Sequence, residues 1–234
     1  MTGRNKLIVI AAAIFLLTVG TTCASADTIF DLGTGNTAIS GFPGPYAEVD
    51  VALVDATHAT ITFTSLTNSG NIYLMGDGGT VAVNVNATTW TLSGITGSNS
   101  GTGFTPGPYS DGGAGNLDGF GVFNQTINSF DGYTHSSDTV SFSLENTSGT
   151  WADSDAVLTP NASGAQAAAH IFVTSSPADA SNGALATGFA AGNSSGGPIS
   201  GQEVVPEPTS IALLGSIFIG VATVLRKKKQ QGAS

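Results

Sequence analysis

The densest set of oxygen ligands in the sequence is Asp111-Gly112-Gly113-Ala114-Gly115-Asn116-Leu117-Asp118-Gly119-Phe120. Side-chain oxygens of Asp111, Asn116 and Asp118, with backbone carbonyls of the intervening glycines, are the donors Ca2+ takes. Leu117 interrupts the run, no second copy of the stretch occurs, and one short loop rarely fills a shell of roughly six to eight oxygens. The competing reading is that the glycines merely turn the chain into a strand near Phe120. Ca2+ is therefore the one cofactor these residues admit, and the default expectation is none.

Other chemistry has less to stand on. His58, His135 and His170 are scattered, and isolated histidines are more often solvated or core residues than zinc ligands. No H-E-x-x-H, G-x-S-x-G or phosphate-binding loop occurs. Asp153 and Asp155 could flank a glycosidic bond, which takes two carboxylates about 5–10 Å apart, yet they read as a solvated turn. The expectation is a protein without catalytic residues. Trp90 alternates with Leu92 and is expected in the core, whereas Trp151, between Gly149 and Asp153, is expected at the surface, where an indole can stack on a sugar. N-x-S/T triplets begin at Asn86, Asn124, Asn146, Asn161 and Asn193, a cheap pattern in a chain this rich in Asn, Ser and Thr.

Those residues sit in a background with an unusual charge distribution. The six basic residues are Arg4, Lys6, Arg226, Lys227, Lys228 and Lys229, and all sixteen carboxylates lie from Asp27 to Glu207. A surface with carboxylates and no Lys or Arg repels phosphate and anionic headgroups, which excludes nucleic acid as a partner of the middle region and leaves cations and neutral sugars.

The elements that must position these residues are strands. Period-2 alternation marks 47–55, 59–65 (Ile61, Phe63), 80–86 (Val81, Val83, Val85), 89–93 and 139–145 (Val140, Phe142, Leu144), with weaker candidates at 71–75, 120–127, 168–174 and 186–190. Asp77-Gly78, Asp131-Gly132 and Asn182-Gly183 supply turn chemistry between them. Short strands without a convincing helix predict an all-β ectodomain over 27–189, a β-sandwich or jelly roll. Residues 98–115 and 190–204 are rich in small and flexible residues and read as a long surface loop and a flexible stalk.

The termini carry targeting features. Residues 1–26 have a basic start, an apolar run over 7–17 and the small-residue end Ala24-Ser25-Ala26, the layout of a secretory leader cut by signal peptidase before Asp27. Alternatives are an uncleaved span, for which the run is short, and acylation at Cys23, for which the preceding residues are unsuited. Cys23 is the sole cysteine and would leave with the leader, so no disulfide or thiolate chemistry remains. At the other end, Val205-Pro206-Glu207-Pro208 precedes an uncharged run over 209–225, closed by Arg226-Lys227-Lys228-Lys229 and the tail 230–234. Seventeen helical residues span roughly 25 Å at about 1.5 Å each, near the thickness of a membrane core. The basic cluster would stay cytoplasmic, which puts the acidic domain outside.

Pro206-Glu207-Pro208, a short apolar span and a terminal basic cluster, in that order over 205–229, resemble the PEP-CTERM sorting domain of exported bacterial proteins. The resemblance implies recognition of Pro206, Glu207 and Pro208 by an exosortase, a transient anchor in the inner membrane, and transfer to the cell surface or an exopolysaccharide matrix. It makes this chain the processed substrate and the protease another chain. A structural surface or matrix protein is the leading expectation. A carbohydrate- or calcium-binding adhesion module and a secreted hydrolase are the alternatives.

Overall fold

Alternation of apolar and hydroxyl side chains builds the central strands. In β4 (His58–Ser65) Ala59, Ile61 and Phe63 are buried while Thr60, Thr62 and Thr64 face outward; in β11 (Thr139–Asn146) Val140, Phe142 and Leu144 are buried opposite Ser141 and Ser143. Slipping either strand by one residue would turn its apolar set into solvent, so the burial itself fixes the register. The computed structural model describes residues 26–199. Expectations for Ala24, Pro206, Glu207, Pro208, the run 209–225 and Arg226, Lys227, Lys228 and Lys229 lie outside the described residues.

In chain order the strands are β1 (Thr28–Asp31), β2 (Thr34–Gly35), β3 (Ala47–Leu53), β4 (His58–Ser65), β5 (Thr67–Asn68), β6 (Asn71–Met75), β7 (Asp77–Val83), β8 (Trp90–Ser98), β9 (Ser110–Leu117), β10 (Gly121–Ser129), β11 (Thr139–Asn146), β12 (Ala167–Ser175) and β13 (Ala186–Gly192). They form two antiparallel sheets, ordered β1-β3-β4-β11-β8 and β2-β13-β12-β7-β10-β9, with β6 also paired to β12. The sheets pack face to face as a sandwich around Val49, Val51, Ile61, Phe63, Val81, Val83, Phe142 and Ile171. β12 reads as an unbroken apolar run because both its faces are covered. Ala167, Ala169, Ile171 and Val173 join the central core, Ala168 joins a second cluster with Phe120 and Phe123, and Phe172 joins a third with Leu74.

Burial decides the stability of this domain, since ion pairs contribute almost nothing. Each fully buried Phe, Ile or Leu is worth about 1.5–3 kcal/mol, whereas the ion pairs among the described residues are those of exposed His58 with Asp55 and Glu145. Carboxylates find hydroxyl and amide donors instead. Asp138 accepts from Ser100 N and Oγ, both at 2.7 Å, Asp179 from Ser181 N and Oγ, and Asp155 from Ser194 Oγ.

Three expectations change. Residues 110–115, expected within a surface loop, belong to edge strand β9, paired with β10. Gly112 and Gly115 lie against the side chains of Thr126 and Asn128 on that neighbour, so the glycines make room for packing and erase the alternation that marks a strand. The first residues of the expected stalk, Ala190, Ala191 and Gly192, complete β13 and are paired with Ala169, Ala168 and Ala167. β1, whose Ile29 is exposed and whose four residues are too few to show a period, adds an unexpected edge to the smaller sheet.

Candidate functional site

Three connections that are far apart in sequence meet at one end of the sandwich. The segment 84–89 leaves β7 and leads into β8, where Val85 bridges to Leu158 and Asn86 N donates to the Val157 carbonyl. The segment 147–151 leaves β11 and is tied to the first by Thr147 N donating to the Thr89 carbonyl at 3.0 Å. Thr159 is held by reciprocal bonds with Asn84. Between them lies an open cleft of about 460 Å3, within the range of small-ligand sites.

The walls of the cleft are locked by their own hydrogen bonds. Ser148 Oγ accepts from the Thr88 and Thr89 amides at 3.2 and 3.1 Å and donates to Asn146 Oδ1 at 3.1 Å. Asn146 Oδ1 also accepts from Ser148 N. Asn146 is itself only 7 % exposed, and its Nδ2 has no hydrogen-bond partner among the described residues. Asn86 is oriented by its Nδ2 donating to the Ala156 carbonyl at 2.9 Å, and its Oδ1 has no hydrogen-bond partner among the described residues. Thr88, Thr150 and Thr159 add hydroxyls, and none of the described residues lining the cleft is charged.

The two tryptophans are placed opposite to expectation. Trp151 is 3 % exposed and donates from Nε1 to the Asn86 carbonyl at 2.8 Å, so it supports the cleft from behind. The turn around it folds back onto the sandwich, with Trp151 N donating to the Ala56 carbonyl, and no local pattern announces that. Trp90 is half-buried at the start of edge strand β8, directly across from Asn146. Its Nε1 donates to Oε1 of buried Gln125 at 3.0 Å, and Gln125 Nε2 donates to Asp111 Oδ1 at 2.7 Å.

That bond gives Asp111 a structural partner, and Gly113 N supplies a second at 2.8 Å. Asp111 and Asn116 stand on one extended strand, where five residues at about 3.3 Å each separate them by roughly 16 Å. One ion with ligands at about 2.3–2.6 Å does not bridge that distance. Asp118 follows the strand, and its carbonyl accepts from Asn36 Nδ2. The structure therefore does not gather Asp111, Asn116 and Asp118 into a calcium loop. Among the described residues no group of three His, Cys, Asp or Glu side chains could hold a metal.

The histidines stay apart in function as well. His58 Nδ1 is 2.9 Å from Asp55 Oδ1 at an exposed turn; the Asp55 bond and the Asp55 and Glu145 charges raise its pKa above the ordinary value. His135 Nδ1 pairs with the Gly107 carbonyl at 2.6 Å. His170 is largely buried beside Phe172 and Phe189, and desolvation pulls its pKa down against the opposing charge of Asp77. Asp153 Oδ1 accepts from Ala156 N in a turn, as a solvated Asp does.

Sequence reasoning missed the cleft because its members carry no motif: amides and threonines are common in this chain, and only the fold collects these. The N-x-T and N-x-S triplets at Asn86 and Asn146 fall here. Compared with known protein families, curated proteins and solved structures, the chain matches none. Fold and cleft define a class alone, an all-β sandwich domain with a neutral polar cleft at one end.

Proposed function

We propose that this chain is an exported cell-surface or exopolysaccharide-matrix protein without catalytic activity, sorted and cleaved at its C-terminal Pro206-Glu207-Pro208 segment by an exosortase. The observation that carries the reading is the segregation of charge: every Lys and Arg lies outside 27–208, at the two ends where leader and anchor require them. The extent of the sandwich supports it. β1 begins at Thr28, just past the expected cut after Ala26, and β13 ends at Gly192, before the sorting segment. In this reading 1–26 is a leader and 209–225 a transient inner-membrane helix.

Intact-mass analysis of native protein, recovered separately from membranes and from extracellular matrix, tests this. A matrix form that starts at Asp27 and ends near Pro208 is expected. A membrane form retaining Arg226 to Ser234 as the sole species would remove the exosortase and leave a plain anchor.

A further inference from the structure

We propose that the cleft formed by 84–89, 146–151 and Thr159 is a binding site for a neutral sugar unit of a polysaccharide. The proposal deepens the surface-protein reading by naming a ligand, and it rests on that reading only for the setting in which a glycan would be met.

The lining chemistry selects the ligand class. Sugar hydroxyls donate and accept at once, and the groups left without partners here do both: Asn146 Nδ2 offers two donors, Asn86 Oδ1 an acceptor, and the Thr150 and Thr159 hydroxyls either. Although Asn146 is mostly buried, its Nδ2 opens to the cleft, where a ligand oxygen can accept from it in place of water. Asn146 is pre-set for that role, because Ser148 N and Oγ occupy its Oδ1 and fix which end of the amide faces out. Little side-chain entropy then remains to be lost on binding.

Charge excludes the competing ligands. The cleft has no carboxylate to hold a cation and no Lys, Arg or His to hold an anion. The surrounding domain carries no Lys or Arg, so a polyuronate or phosphorylated glycan would be repelled. Val85 and Ala87 line the cleft beside these polar groups and supply the apolar patch that a pyranose face also needs.

The test uses the full chain in detergent, with a panel of neutral oligosaccharides (β-glucan, mannan, galactan and xylan fragments) and an oligouronate as the charged comparison, read by calorimetry. At least one neutral fragment is expected to bind, and the oligouronate is not. Thr159→Val, which removes a hydroxyl that has no protein partner, and Asn146→Asp, which keeps the acceptor for Ser148 but loses both donors, are each expected to weaken binding by about tenfold. Thr64→Val, on the outer face of β4, is expected to leave it unchanged. Should Asn146→Asp unfold the domain, Thr150→Val takes its place beside Thr159→Val. Absence of binding by every neutral fragment at millimolar concentration overturns the site, as does equal binding of the oligouronate or insensitivity to the cleft substitutions. None of these outcomes depends on whether the tail is cleaved, so failure here and failure of the sorting reading are separable.

Discussion

The imidazole of His170 stacks on the ring of Phe189, centroids 4.5 Å apart and planes 21° apart, across the pairing of β12 with β13. Phe172 flanks it at 5.3 Å, and its Nε2 is 2.7 Å from Thr187 Oγ1. Burial makes the neutral ring the favoured form, so the folded pKa lies below the unfolded value of about 6.5. A group lowered in this way costs the folded state nothing above that pH and destabilises it as pH falls through the window beneath. The melting temperature is therefore expected to drop on acidification below about pH 6.5, and His170→Phe is expected to flatten that drop. His58 works in the opposite sense: its raised pKa gives a contribution present in acid and lost as pH rises through the folded value, so Asp55→Asn should lower its NMR titration midpoint.

Asp50 is expected to be a destabilising residue at neutral pH. It faces outward on β3, its Oδ1 is enclosed without a hydrogen-bond partner among the described residues, and burial together with the Asp27 charge raises its pKa. The cost appears as pH rises through the interval between the unfolded carboxylate value and the raised folded one. Asp50→Asn should raise the melting temperature at pH 7 and leave it unchanged at pH 3; equal shifts at both values would point to packing instead of charge.

Gly192 closes β13. A Cβ there would collide with the backbone carbonyl of Asp31, which cannot rotate away as a side chain can. Gly192→Ala is expected to cost about 1–3 kcal/mol in denaturant unfolding, whereas Gly196→Ala, with no atom nearby but a left-handed φ of 63°, should cost less. Equal tolerance of both changes would return Gly192 to a flexible segment.

The tryptophans separate by accessibility. Trp151 should be shielded from acrylamide, and Trp151→Ala should cost about 3–5 kcal/mol, the range for emptying a large core site. Trp90 should be quenched readily, since it is only half-buried and stands at the start of edge strand β8. Single-tryptophan variants, Trp90→Phe and Trp151→Phe, give the two quenching constants; a reversed order contradicts the packing described.

What the sequence by itself determined is whatever depends on local pattern. The strands 47–53, 59–65 and 139–145 were legible because each has one face in the core and one in water, which writes burial into every second residue. The separation of basic ends from an acidic middle is likewise a property of the linear order. Tertiary structure decided the rest. β9 was illegible because its glycines answer to Thr126 and Asn128 on another strand. Trp151 was misplaced because its burial depends on a turn that folds back to Ala56 and Asn86. The cleft needed the fold most of all: Asn86, Asn146 and Thr159 are ordinary residues in sequence, and they come together only because the segment after β7, the end of β11 and the segment around Thr159 meet at one end of the sandwich.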